Sequence, residues 1–223
     1  MSRWLTRLAA ALSLVLVVGL AAGGPARAAI DKERATTFVE QLTETAIEDI
    51  AAAEAPMNER IERFRDLFRD YFDVPIIARL VLGRYWRSAN DAEREAFVEV
   101  FREVTIYRWA GLFDKYEGQK LKVTGVSAEN RSALVHTRVV QPDGGDPVSV
   151  DWRLRPGESG DLRVIDITVE GVSMVITQRS EYASVVNNHG GDVGALNAAL
   201  TEKLEAYRQR GAPPPPGLPT DGN

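Results

Sequence analysis

Few side chains in this chain of 223 residues have the types and spacing that catalysis or metal binding requires. The two histidines, His136 and His189, lie far apart in the sequence, and the chain has no cysteine. Zinc sites combine Cys and His at short spacings and calcium loops combine clustered Asp and Glu, and neither pattern is present. Gly144 and Gly145 lie between two predicted strands rather than between a strand and a helix, so they do not form a phosphate loop. The sequence predicts no metal and no cofactor.

Acid–base chemistry has one candidate pair. Asp166 and Glu170 lie four residues apart, a spacing that places two strand residues on one face. Two such carboxylates are conceivable as a general acid and base, although solvated charges near a turn are the favoured interpretation. Ser173 lies in Glu-Gly-Val-Ser-Met, which is not the Gly-x-Ser-x-Gly pattern of a strained nucleophile. We therefore predict no catalytic residue and interpret the chain as a protein that is not an enzyme.

The first 28 residues have the composition of a cleaved secretory signal peptide. Arg3 and Arg7 form a basic start, an apolar run covers residues 8–20, and residues 26–28 fit the small-x-small pattern of a cleavage site. The apolar run is too short to span a membrane as a helix. We expect cleavage near Ala28 and export to the periplasm. The mature protein should be soluble, because no cysteine follows that could carry a lipid anchor.

A single domain is expected after the signal peptide, over residues 29–210. The signal peptide contains three arginines and no acidic residue, so its removal takes the formal net charge from −5 to −8. This acidic balance argues against binding to nucleic acid and against adsorption to anionic membranes. Residues 211–223 contain five prolines and no core residues, and we expect a disordered tail there.

Apolar residues recur at helical spacing through the first half of the chain. They predict four helices, over residues 31–53, 58–72, 74–82 and from 91 to about 116. In the second helix Phe64, Phe68 and Phe72 share one face. The third helix is short and apolar around most of its circumference, with Asp73 as its predicted N-cap and Gly83 at its end. A helix of this composition must be buried.

The hydrophobic period changes from 3.6 to 2 after about residue 120. Alternating residues predict four strands joined by short turns, over residues 121–126, 133–140, 148–155 and 162–169. Two helices follow, from Met174 to about Asn188 and from Asp192 to about Arg208, and Ser173 is the predicted cap of the first. The sequence therefore predicts an α+β fold in which an antiparallel four-stranded meander packs against a layer of helices.

Two ordered motifs resemble those of a known family. The first comprises Ile-Ala-Arg-Leu-Val-Leu-Gly-Arg-Tyr-Trp at 77–86, the segment 88–97 and the helix at 101–107, and the second is Val-Glu-Gly-Val-Ser-Met at 169–174. With the signal peptide and the helix–meander–helix order, the chain resembles the MlaC family, also called the toluene-tolerance or auxiliary ABC-transporter family. The resemblance covers roughly residues 58–204.

The resemblance implies a periplasmic lipid carrier and its partners. In this family the acyl chains of a phospholipid enter a pocket between a curved sheet and the helices, and the headgroup stays outside. The implied role is to shuttle lipid between membrane complexes and so maintain the lipid asymmetry of the outer membrane. The implied partners are an inner-membrane ABC transporter complex with its membrane-anchored substrate-binding subunit, and an outer-membrane lipoprotein and porin complex. Some members are linked to hopanoids, so the cargo is phospholipid or another apolar lipid.

The residues support a carrier independently, because the large apolar side chains outnumber what one domain of this size needs to fill its core. We expect the surplus to line an apolar cavity between the meander and the helices. The predicted ligand-binding residues come from the periodicity of the helices, the strands and the second motif: Val74, Ile77, Leu80, Val81, Tyr85, Phe97, Phe101, Val104, Tyr107, Val135, Val139, Val148, Val150, Trp152, Val172, Met174 and Val175.

Two alternatives from other classes stay open. One is a cavity-bearing enzyme of the NTF2-like or ketosteroid-isomerase type, which would need an acid or a base pointing into the cavity. The other is an adaptor with a solid core that binds only a transporter. Bound lipid and a cavity would distinguish a carrier from such an adaptor.

Overall fold

The structure is a computed structural model, and it describes residues 30–51, 55–111, 116–129 and 131–210. The predicted signal peptide and the predicted tail therefore lie outside the described residues. The helices within these ranges have the following bounds: α1 Lys32–Thr45, continued by a π-helical segment Ala46–Ala51, α2 Met57–Tyr71, α3 Val74–Leu82, α4 Tyr85–Ser88, α5 Asp91–Ala110, α6 Met174–Asn188 and α7 Val193–Arg210.

The strands form one antiparallel sheet in the order of the sequence. Their bounds are β1 Lys120–Glu129, β2 Ser132–Val140, β3 Val148–Pro156, β4 Leu162–Val169 and β5 Val172–Ser173. The predicted α+β meander is confirmed, with a fifth strand of two residues added at its edge. Glu170 and Gly171 make the turn before it with φ of 46° and 78°. Positive φ at both positions is the pattern of a type I′ hairpin turn, and glycine accepts it without strain.

Side chains cap the starts of α3 and α5, and the cap of α3 is the one predicted from the sequence. The Asp73 carboxylate accepts from the backbone N–H of Ile76 at the start of α3. At the start of α5 the Asn90 side chain accepts from the backbone N–H of Glu93, whose carboxylate in turn accepts from the Asn90 N–H. These contacts satisfy donors that a helix leaves free in its first turn, so local residues decide where both helices begin.

Two helix ends differ from the sequence prediction. The helix predicted to run from 91 to about 116 ends at Ala110, and Tyr116 lies outside it. Gly111 follows the last helical residue and has right-handed backbone angles, and the aromatic pattern of the sequence continues beyond it. The helix predicted over residues 31–53 is α-helical only to Thr45 and then widens into the π-helical segment. Hydrophobic periodicity does not report either change.

The helices pack as a layer on one face of the sheet, with α5 between α2 and α7. Phe97 of α5 is fully buried, and its ring meets the Tyr182 ring of α6 edge-on at 5.9 Å between centroids. Burial raises the pKa of the Tyr182 phenol far above its ordinary value. In the described part of the chain, none of the helices is long and apolar enough to cross a membrane.

Candidate functional site

A cavity of about 900 Å³ lies between the sheet and the helical layer. This volume is near the upper end of the roughly 300–1,000 Å³ that pockets for small ligands usually have. Its wall is built from α1, the π-helical segment, α2, α3, α5 and α6 on one side and from β1 to β4 on the other. The presence of this space means that the described residues do not form a solid core.

The helical wall contains a row of phenylalanines. Phe64, Phe68 and Phe72 recur every four residues along and just beyond α2, and all three line the cavity. The centroids of the Phe68 and Phe72 rings are 4.8 Å apart. Backbone contacts hold the end of α2 against the sheet, because Phe72 bridges to Val164 of β4 and the Asp73 N–H donates to the Val164 carbonyl at 3.0 Å. The aromatic face predicted from the sequence is therefore turned towards the cavity.

The sheet contributes an apolar surface whose polar atoms are paired within it. Val139, Val150 and Trp152 line the cavity. The Trp152 indole N–H donates to the Thr137 hydroxyl at 3.1 Å, and that hydroxyl donates to the Val150 carbonyl at 2.6 Å. Thr137 is buried, so this pairing removes the cost of an unsatisfied polar group. Nothing in this part of the wall requires a polar ligand.

The threonines on the helical side are paired in the same way. Thr43 and Thr105 line the cavity. Their hydroxyls donate to the carbonyls four residues earlier in their helices, at 2.8 and 2.7 Å. A guest without hydrogen-bonding groups can therefore contact this wall without leaving polar atoms unpaired. The wall suits hydrocarbon better than a polar metabolite.

Asp166 corrects one sequence expectation. Its favoured place was the solvent-facing side of the sheet, but it lies in the cavity wall, next to a shift in the register between β3 and β4. One carboxylate oxygen accepts from the Ser173 hydroxyl at 2.6 Å and the other from the Val175 N–H at 3.1 Å. Glu170 instead accepts from the Ser149 N–H. The two carboxylates therefore have separate structural partners and do not form an acid–base pair.

The contacts of Asp166 lead to a first prediction. Replacing Asp166 with alanine should lower the free energy of unfolding by about 1–3 kcal/mol, because a charged acceptor for two donors at the start of α6 is lost. Urea unfolding measures this effect, and Asp166→Asn is the matched control because it retains one acceptor oxygen. Unchanged stability in the alanine variant would show that this carboxylate does not hold α6.

Ser127, His136 and Asp151 form a hydrogen-bonded row across three strands. The His136 Nδ1 lies 2.9 Å from the Asp151 carboxylate, and its Nε2 lies 2.9 Å from the Ser127 hydroxyl. The order resembles a Ser-His-Asp triad, yet none of the three residues lines the cavity. A triad also needs donors arranged for an oxyanion next to a bound substrate. We interpret this row as cross-strand pairing that stabilises the sheet.

Comparison with known proteins identifies the family. A sequence model of the MlaC protein family matches residues 37–202, more than half of the chain. The protein belongs to the MlaC family. A relative from Haemophilus influenzae, named "Intermembrane phospholipid transport system binding protein MlaC", is 24% identical over 199 residues, which cover 86% of this chain and 89% of the relative. The resemblance seen in the two sequence motifs is thus confirmed, and the named MlaC relative is a binding protein of a transport system.

A solved structure shares the fold. The phospholipid-binding protein from Ralstonia solanacearum, determined in complex with a phospholipid, superimposes with a TM-score of 0.67 at 20% identity. The match covers 77% of this chain and 97% of the Ralstonia protein. At this identity the likeness establishes the fold, and it places this chain among MlaC-like α+β structures.

The structure separates the predicted ligand-binding residues into two groups. Eight line the cavity: Ile77, Val81, Phe101, Val139, Val150, Trp152, Met174 and Val175. The other nine lie elsewhere in the fold: Val74, Leu80, Tyr85, Phe97, Val104, Tyr107, Val135, Val148 and Val172. Most of the second group are buried or half-buried against protein, whereas the Val172 side chain is 51% exposed. Periodicity identifies a buried face but does not show whether protein or open space lies opposite it.

Several motif residues hold helices together instead of facing the cavity. The Tyr85 hydroxyl donates to the Asn187 side chain of α6, which also accepts from Arg84 at 3.0 Å. Arg179 donates to the Leu80 carbonyl at 2.7 Å and passes close to Gly83, where a Cβ would lie 3.2 Å from its side chain. Part of the first sequence motif, at residues 77–86, therefore attaches α3 and α4 to α6.

Other lining residues were not predicted as ligand contacts. They lie on α1 and the π-helical segment, on α2 and directly after it, towards the end of α5, before and at the start of β1, after β2, along β4 and on α6. These residues are Leu42, Thr43, Ala46, Ile47, Phe64, Leu67, Phe68, Phe72, Thr105, Trp109, Tyr116, Glu117, Gln119, Leu121, Gln141, Asp143, Val164, Ile165, Asp166, Ile167, Val169 and Gln178. Part of this set could have been found from Phe64, Phe68 and Phe72, which the sequence places on one helical face and which all line the cavity.

Proposed function

We propose that this protein is a periplasmic carrier that holds the acyl chains of a phospholipid in the cavity. It moves lipid between complexes of the outer and inner membranes and thereby helps to maintain the lipid asymmetry of the outer membrane. Its partners are the inner-membrane ABC transporter complex, through the membrane-anchored substrate-binding subunit, and the outer-membrane lipoprotein and porin complex. The role of the Haemophilus relative, as its name states it, and the phospholipid bound by the Ralstonia protein support this proposal.

The apolar cavity is the observation that carries the proposal. It combines a volume of about 900 Å³ with a wall of aliphatic and aromatic side chains, and the polar groups of Thr137 and Trp152 on its sheet side are already paired. Acyl chains have no hydrogen-bonding groups, so they match such a wall. The alternative of an isomerase-type enzyme is less well supported, because the Asp166 carboxylate in the wall is occupied by its two donors from Ser173 and Val175. The other described lining acids, Glu117 and Asp143, are exposed and not buried in the cavity.

The energetics of carriage favour exchange with membranes. Two acyl chains of about 16 carbons carry roughly 30 methylenes, worth about 24 kcal/mol against water at ~0.8 kcal/mol each. A lipid that arrives from a bilayer is already dry, so this figure is not an affinity. A cavity about as apolar as the bilayer allows loading and unloading to be nearly balanced. Docking at each membrane complex then decides the direction of transfer.

Native mass spectrometry of the protein purified from its own periplasm tests the proposal. We expect a bound species with the mass of a phospholipid, and organic extraction should recover the same lipid. A hopanoid at the same stoichiometry would support a carrier of another apolar lipid. A protein that is folded and free of lipid in both measurements would contradict the carrier and favour an adaptor.

A further inference from the structure

Polar lining residues gather at one end of the cavity. The pairing of Lys120 with Val140 brings the start of β1 beside the end of β2. Glu117 and Gln119 precede β1, Gln141 and Asp143 follow β2, and all four line the cavity. The side chains of Glu117 and Asp143 are exposed. We call these four residues the rim.

The charge of the rim has one sign. Among the described residues that line the cavity, three are acidic and none is Lys, Arg or His. Asp166 is engaged at the start of α6, which leaves Glu117 and Asp143 as the acids at the exposed end. Lys120 and Lys122 alternate along β1 with the lining residue Leu121 and therefore project from the other side of the strand.

We propose that the rim selects phospholipids whose headgroup carries a cationic amine beside the phosphate, such as phosphatidylethanolamine. Phospholipids whose headgroup has a net negative charge, such as phosphatidylglycerol, are bound less well. This inference rests on the proposed function, because it assumes that acyl chains fill the cavity and leave the headgroup at its exposed end. An ammonium group is attracted by the carboxylates of Glu117 and Asp143. A net-anionic headgroup meets the same carboxylates, and none of the described residues that line the cavity is a cation that would offset them.

The side-chain amides of Gln119 and Gln141 suit the phosphate of a zwitterionic headgroup, as the carboxylates suit its amine. The Gln119 side-chain carbonyl accepts from the Glu117 N–H at 2.8 Å, and its NH₂ group donates to none of the described residues. Gln141 adds a second amide at the end of β2. Amide donors suit phosphate and ester oxygens without supplying charge, whereas sites that select anionic phosphate use Arg or Lys. The rim thus binds the phosphate weakly and discriminates through the amine.

The expected discrimination is modest because the rim is exposed. Exposed ion pairs change an equilibrium about 1.5- to 5-fold each. With two carboxylates and opposite effects on the two headgroups, we expect the ethanolamine lipid to exceed the glycerol lipid by about threefold or more in direct competition. Salt should reduce this ratio, since charges at the surface are screened over about 10 Å at 0.1 M.

A competition experiment tests the inference. The purified protein is delipidated and reloaded from mixed micelles that contain equal amounts of phosphatidylethanolamine and phosphatidylglycerol with identical acyl chains. Native mass spectrometry then reports both the total lipid bound and the ratio of the two headgroups. The test variant is Glu117→Gln with Asp143→Asn, in which asparagine can keep the acceptor that Asp143 offers to the Gly145 N–H. The control is Glu158→Gln with Glu202→Gln, which removes two exposed charges away from the rim.

The expected result is a preference of about threefold or more for the ethanolamine lipid in the wild type and the control. In the rim variant the ratio of the two headgroups among the bound lipid should fall towards one. Equal loading of both headgroups by the wild type, or a preference that survives in the rim variant, would overturn the inference and leave the carrier function standing. A wild type that loads neither lipid would overturn the proposed function and this inference with it.

Discussion

Replacing Val150 with arginine is expected to remove lipid from the protein while the protein still folds. Val150 lies on β3, is 7% exposed and lines the cavity. An arginine there places a charge in the space that the acyl chains would fill, and covering that charge with hydrocarbon costs several kcal/mol. Because tenfold in binding corresponds to about 1.4 kcal/mol, occupancy should fall at least tenfold. The flexible stem of the introduced arginine lets the guanidinium group extend towards the exposed end of the cavity, which limits the loss of stability.

The matched control uses the other face of the same strand. Ser149→Arg adds the same side chain one residue earlier, at an exposed position that does not line the cavity. It should retain the lipid of the wild type. Val81→Arg on α3 repeats the test from the helical wall. Native mass spectrometry measures occupancy, and circular dichroism confirms folding. Unchanged lipid in either cavity variant would contradict the assignment of this wall.

Phe97→Ala should have the opposite signature, with a large loss of stability and no loss of lipid. Phe97 is 0% exposed, and its ring lies 5.8 Å from Phe101 and 5.9 Å from Tyr182 between centroids. Truncating a buried phenylalanine costs about 3–5 kcal/mol, because contacts are lost and a cavity is left. Phe97 does not line the main cavity, so lipid bound per folded molecule should stay at the wild-type level.

Chemical unfolding and native mass spectrometry together check this prediction. Glu95→Ala is the control on the same helix, since its side chain is exposed and its loss should change stability by no more than about 0.5 kcal/mol. If folded Phe97→Ala protein loses its lipid, Phe97 contacts the ligand, as its position in the periodic pattern predicted. A destabilisation below about 1 kcal/mol would instead show that the ring is not part of the core.

The helices and strands of this fold could be predicted where residues close together in the sequence decide them. Asp73 and Asn90 cap their helices with side-chain acceptors three residues from the donors, so the chain needs no distant partner to begin α3 and α5. Ser173 caps α6 in the same way. The ends of α1 and α5 were not predicted, because the apolar periodicity of the sequence continues beyond Thr45 and beyond Ala110.

The residues that line the cavity could be predicted only in part from the sequence. Helix α5 shows why, since Phe97 and Phe101 belong to the same apolar surface and only Phe101 lines the cavity. Phe97 faces Tyr182 of α6 instead. Apolar residues are selected both by a packed core and by a lipid cavity, so their spacing alone does not distinguish the two. The rim shows a second reason, because Glu117 and Asp143 lie in loops without periodicity, and the pairing of β1 with β2 places both loops at one end of the cavity.

The sequence by itself determined the α+β class, the meander, the helix starts and the MlaC family, because each of these depends on patterns between residues that are near one another in the chain. The tertiary structure alone decided which apolar faces meet protein and which meet open space. It also decided that the carboxylate of Asp166 caps α6 from the cavity wall and that the charged rim carries one sign. These properties depend on distances between elements that are far apart in the sequence, and local pattern contains no information about such distances.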